Sequence, residues 1–112
     1  MMHRPFSIAI VGVGQLGFRH LQGLLQIKLD CMFYVVDLSE ATLRNVQSRI
    51  ETIRDSNNHN KIKYCSSYRH LPDHIDYAVI STTSDVRLES MKALTSGRMV
   101  SYLLLEKILF QR

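Results

Sequence analysis

Cysteine is scarce in this chain. Cys31 and Cys65 are the only two among 112 residues, and neither sits in a CxxC pair or at Cys/His metal-ligand spacing. That scarcity argues against a disulfide framework and against a zinc site, and two reduced, mostly buried thiols are expected in a cytoplasmic protein. A basic block or stripe is also missing. The 14 Lys and Arg residues behind the net charge of +4 are spread along the whole chain, so no nucleic-acid partner is expected. The apolar stretch from Phe6 to Val13 is too short to span a bilayer, and no small-x-small cleavage site follows it before Arg19. We read a strand there, and no membrane partner. Repeats and low-complexity segments are absent, and residues 55–61, "DSNNHNK", form the only clearly polar loop. His3, His59, His70 and His74 are scattered through terminal and loop segments without helical i, i+4 pairing, so they are read as solvated and no metal site is expected.

What is present suits one soluble globular domain over residues 1–112, with 46% hydrophobic and 21% charged residues. A chain of this length buries roughly two thirds of its unfolded surface in one compact unit. "FSIAIV", residues 6–11, is an uncharged run of the kind a central parallel strand shows when both faces are covered. From Gln15 to about Ile27, Leu16, Leu21, Leu24, Leu25 and Ile27 give a helix one apolar face. "CMFYVVD", 31–37, is the second strand, and Ser39 is placed to cap a helix reaching Arg54 through Leu43, Val46, Ile50 and Ile53. A short third strand is expected around Ile62 to Cys65, a fourth over 76–82, "DYAVIST", and a fifth over 99–105, "MVSYLLL". Between the last two, Asp85 to Ser96 reads as a helix with Leu88, Met91 and Leu94 inward and Gly97 past its end. Alternating strands and helices with short links predict an α/β, doubly wound parallel sheet in the order 3-2-1-4-5.

Between the first strand and first helix stands Gly12-Val13-Gly14-Gln15-Leu16-Gly17, a complete G-x-G-x-x-G. In such a loop the first glycine permits the tight turn, the second lets a pyrophosphate approach the backbone, and the third lets the helix pack closely. The helix N-terminus then offers free N–H groups and the positive dipole end to phosphates. The same glycines also serve tight strand-to-helix packing with no ligand. Asp37 bears on this choice: it ends the second strand 20 residues after Gly17, where an acid can accept hydrogen bonds from a ribose. A capping aspartate is the plainer alternative, but Ser39 already offers that cap. An acid would repel a 2′-phosphate, Leu38 stands where an NADP site suits an arginine, and Arg44 is poorly placed to substitute. The expected cofactor is therefore NAD rather than NADP.

Three segments together, "GVGQLGFRH", "DYAVISTTSD" and "LLLEK", resemble the Gfo/Idh/MocA family of NAD(P)-dependent oxidoreductases over Ile8 to Lys107. The resemblance implies an N-terminal Rossmann domain holding the dinucleotide, and a second α/β domain, lacking here, holding a sugar, polyol or nucleotide-sugar. It places Gly12, Val13, Gly14, Gln15, Leu16 and Gly17 in the phosphate loop and Asp37 on the ribose. Ser81 and Thr82 match the family's loop beside the cofactor, Glu106 joins the cofactor contacts, and Lys107 orients and polarises the reacting hydroxyl. Ile108 stands where the family has proline, Thr83 and Ser84 replace Pro-Asn, and Arg87 stands where a histidine is common. The expected function is the cofactor half of a dehydrogenase, inactive as an isolated chain and homo-oligomeric. A stand-alone nucleotide-sensing domain is the alternative, and a scaffold with an empty cofactor site the third.

Overall fold

Five strands and three α-helices alternate along residues 4–54 and 60–106, the residues that the computed structural model describes. In chain order they are β1 (Phe6–Val11), α1 (Gln15–Leu24), β2 (Cys31–Val36), α2 (Glu40–Ile53), β3 (Lys61–Cys65), β4 (His74–Ile80), α3 (Ser84–Thr95) and β5 (Met99–Leu105). All pairings are parallel and the sheet order is β3-β2-β1-β4-β5, the doubly wound arrangement expected from the alternating pattern.

The uncharged inner strands β1 and β2 are covered on both faces. On one face Phe18, Leu21 and Leu25 from the first helix and Leu43, Val46 and Ile50 from α2 pack on Ile8, Ile10, Phe33 and Val35. Arg49 of α2 lies over the Phe18 ring at 3.8 Å, tying the two helices together through a cation–π contact. On the other face Leu94 and Leu71 cover Ala9, Val11, Ala78 and Ile80. Small alanines at the centre of β1 and β4 let that second layer sit close to the sheet.

The link from β3 to β4 must cross β2 and β1, yet it holds only one 3-10 turn, Tyr68–His70. Arg98 compensates. Its guanidinium donates to the carbonyls of Tyr68 (3.1 Å), Pro72 (2.8 Å) and Leu94 (2.8 Å), so one side chain joins the crossover to the last turn of α3. Gly97, at φ +64°, makes the left-handed turn that brings Arg98 there.

Several boundaries differ from the sequence expectations. The first helix stops at Leu24 and continues only as 3-10-like turns, Gln26 N–H to the Gly23 carbonyl and Ile27 N–H to the Leu24 carbonyl, so Ile27 ends up 37% exposed. Ile53, in the last turn of α2, is 48% exposed, and Leu88 is 59% exposed on the outer side of α3. β4 starts two residues earlier than expected and ends at Ile80, with Ser81 and Thr82 beyond it. His74 is therefore a strand residue: its Nε2 lies 2.8 Å from Ser101 Oγ on β5, so it is not the solvated loop histidine expected. Asn60, read as polar loop, is buried and accepts the Cys31 N–H at 3.2 Å. His70 lies in the exposed 3-10 turn, while His3, His59 and most of the polar loop fall outside the described residues.

Candidate functional site

All five strands end in one row. The register aligns Cys65, Val36, Val11, Ile80 and Leu105 across the sheet. The next residue of four strands, Gly12, Asp37, Ser81 and Glu106, then extends the ladder by one step. Their N–H groups donate to the carbonyls of Val36, Cys65, Val11 and Ile80 at 2.8 to 3.1 Å. Four residues singled out from the sequence thus stand side by side at the carboxyl edge, at the switch point where β1 lies between β2 and β4, the place where open α/β sheets hold ligands.

The three glycines divide by what surrounds them. Gly12 has φ +83°, and a Cβ there would come within 2.9 Å of Thr82 Cγ2. At Gly17 a Cβ would run into the Gly12 carbonyl, so helix α1 can sit this close to the loop only without one. Gly14 is different. It has an ordinary negative φ of −64° and nothing within 4 Å of a Cβ built on it. Packing within the protein accounts for Gly12 and Gly17 and leaves the bare backbone at Gly14 facing open space. Gly14 is also the N-cap of α1, with no side-chain cap and no acid in the first turn, so nothing within that helix compensates its positive end. Val13 is buried in the core under the loop, while Gln15 and Leu16 contribute backbone to the first turn and their side chains lie outside the description.

Asp37 reaches back to this loop. Its Oδ2 accepts the Val13 N–H at 3.1 Å and its Oδ1 accepts the Ser39 N–H at 2.9 Å. Ser39 in turn accepts the Thr42 N–H and caps α2, as expected. Each carboxylate oxygen keeps a second lone-pair direction for a further donor.

Beside Asp37 lies a cavity of about 360 Å³, between the ends of β1 and β2 and the first turns of α3. Val11, Val36, Leu38, Tyr68, Val86 and Ala93 make it mostly apolar, and Gly12, Asp37, Thr82, Glu89 and Ser90 supply the polar positions. The hydroxyls of Ser81 and Thr82 are buried with no hydrogen-bond partner in the protein, which is costly unless something else satisfies them. Sequence reasoning missed Tyr68, Val86, Glu89, Ser90 and Ala93. The signal for the four on α3 was their helical spacing on one side of a helix that starts next to Thr82.

Glu106 stands at the other end of the row. Its carboxylate is 3.4 Å from His20 Nε2 on α1, and its carbonyl accepts from Arg87 of α3 at 2.9 Å. The terminus of β5 is thereby tied to both flanking helices, and Arg87, marked in the sequence only as a departure from a family pattern, provides one of the two ties. Lys107 lies outside the described residues. Among the described residues, no group of three or more His, Cys, Asp or Glu side chains could hold a metal ion, and no helix is long and apolar enough to cross a membrane.

No family model matches the chain, and no curated protein matches it in sequence. Among solved structures it is similar to a Bacteroides fragilis protein provisionally named an NADP oxidoreductase, with a TM-score of 0.65 at 13% identity. The likeness covers 94% of this chain and 36% of that one, so this chain spans little more than a third of that protein's length. At such identity the likeness shows the fold: a Rossmann-like α/β sheet, the same architecture that the strand order gives.

Proposed function

We propose that the chain is the nicotinamide-dinucleotide-binding part of an oxidoreductase. The observation that carries this reading is the bare backbone at Gly14, which has nothing within 4 Å of a Cβ built on it and which stands at a helix N-terminus without a side-chain cap, next to Val13 on the Asp37 carboxylate. A diphosphate fits that opening, with its charge against the first-turn N–H groups of α1. Asp37 then takes the adjoining ribose hydroxyls, and the apolar cavity takes the base, with Thr82 and Ser90 as hydroxyl partners. The name given to the Bacteroides fragilis protein agrees with a nicotinamide cofactor and mentions NADP. For this chain the acid at Asp37 and the exposed Leu38 beside it favour NAD, because no Lys or Arg among the described residues lines the cavity beside Asp37.

When bound, the dinucleotide supplies the hydride acceptor; the chain supplies position and charge. Gly12, Val13, Gly14, Gln15, Leu16 and Gly17 hold the phosphates, and Glu106, fixed by His20 and Arg87, borders the nicotinamide half. In the finer reading, taken from the Gfo/Idh/MocA resemblance, the substrate is a sugar, polyol or nucleotide-sugar bound with a second domain, and Lys107 orients its hydroxyl. Calorimetric titration of NAD and NADP into the wild type and Asp37→Ala tests the cofactor. We expect NAD to bind more tightly than NADP, and loss of the ribose hydrogen bonds to weaken NAD by about 1 to 3 kcal/mol. A wild type that binds neither overturns the reading. The second reading, a nucleotide-sensing module, draws on the cavity's position at the adenosine end; ADP binding as tightly as NAD would favour it.

A further inference from the structure

Asp37 and the glycine loop are distant in sequence and joined in space. Val13, held between Gly12 and Gly14, donates its N–H to Oδ2 of an acid 24 residues further on. The loop has a second anchor, the Gly12 N–H on the Val36 carbonyl at 2.8 Å, and both anchors lie on the end of β2. With Ser39 N–H on the other oxygen, the carboxylate cannot rotate without releasing a backbone donor. Charge-assisted bonds of this kind are roughly twice as strong as neutral ones.

We propose that Asp37 is a positioning residue for the phosphate loop, in addition to its contact with the ribose, so that one carboxylate couples the two ends of the dinucleotide site. This inference rests on the dinucleotide reading. The loop's path over Gly14 is set by Gly12 in its left-handed conformation and by Val13 fixed from both sides, its side chain in the core and its N–H on Asp37. Losing the carboxylate frees the Val13 N–H and with it the orientation of the Gly14 backbone. The diphosphate then loses preorganised donors although it never touches Asp37.

Inorganic pyrophosphate, which has no ribose, separates the two roles because they predict opposite signs. A carboxylate so close to an anion site repels the anion, so an acid serving the ribose alone should, on removal, leave pyrophosphate binding unchanged or tighter. Positioning predicts the reverse: Asp37→Ala binds pyrophosphate about tenfold more weakly, and Asp37→Asn, which keeps one acceptor oxygen, falls between it and the wild type. Equal or tighter pyrophosphate binding in Asp37→Ala overturns the coupling. Amide hydrogen exchange gives a readout free of ligand. The Val13 N–H should exchange about tenfold faster in Asp37→Ala and by less in Asp37→Asn, while the Phe18 N–H, bonded to the Gly14 carbonyl, keeps its protection. Unchanged Val13 exchange overturns the brace itself. A wild type that binds neither NAD nor pyrophosphate overturns the dinucleotide reading and the coupling with it, and the exchange of Val13 still decides whether the brace exists.

Discussion

The Arg98 guanidinium donates to the Tyr68 carbonyl across 30 residues of sequence, at 3.1 Å, and in doing so secures the only turn of the β3–β4 crossover. The same group holds Pro72 and Leu94. Arg98→Ala removes these three bonds at once, leaving the Tyr68 carbonyl only its Leu71 N–H, and we expect a loss of about 2 to 4 kcal/mol in urea unfolding. Arg98→Lys should recover less than half of it, since an ammonium cannot reach all three as a planar fork does.

Gly14 and Gly17 should respond differently to the same methyl group. Gly17→Ala forces the new Cβ into the Gly12 carbonyl and is expected to destabilise by about 3 kcal/mol. Gly14→Ala meets nothing and should change stability by about 1 kcal/mol or less, the difference between the two residues at an N-cap. Yet it should weaken NAD binding at least about tenfold by filling the space a phosphate needs. Paired unfolding and titration curves check both halves.

Acid should expose the role of Asp76. Burial works against its ionisation, but the Ser7 N–H, the Arg4 guanidinium and nearby His74 outweigh it and hold the carboxyl below its usual value. A folded-state value below the unfolded one means stabilisation that is complete above about pH 4 to 5 and is lost as pH falls through the folded value. Thermal unfolding of the wild type should therefore move to lower temperature between pH 5 and pH 3. Asp76→Asn should begin less stable and show a smaller shift over that range.

Both thiols should be inert in the folded protein. Burial pushes Cys31 up, helped by Asp30 and Asp76, and burial likewise raises Cys65 against the opposing pull of Lys63. Ellman's reagent at pH 8 should titrate neither cysteine in buffer and two per chain in denaturant. Rapid reaction of the native protein would show that one of the two sites opens.

The strand cores and the glycine loop were legible because their signals are local. "FSIAIV" and "CMFYVVD" carry no charge before their last residue, and a G-x-G-x-x-G needs only six consecutive positions. Ile27, Ile53 and Leu88 misled because apolar spacing alone fixes neither where a helix ends nor which face is covered: α1 stops at Leu24, Ile53 sits in the exposed last turn of α2, and Leu88 is on the outer side of α3. Arg98 was invisible because its partners are main-chain carbonyls of Tyr68 and Pro72, and a backbone acceptor leaves no mark in composition. Asp37 was readable as an acid at a strand end. Its grip on Val13 was not, since that bond depends on β1 and β2 ending in register.

The two borders of the described sheet are unlike. β3 carries Lys61 and Lys63, both exposed, whereas β5, "MVSYLLL", has neither charge nor proline. Lysines on a border strand discourage a neighbour because pairing would strip water from their ammonium groups. The sheet is consequently open to growth in one direction alone: a newcomer strand, whatever its source, would find its hydrogen-bond partners beyond Tyr102 and Leu104, and electrostatic refusal beyond Lys61.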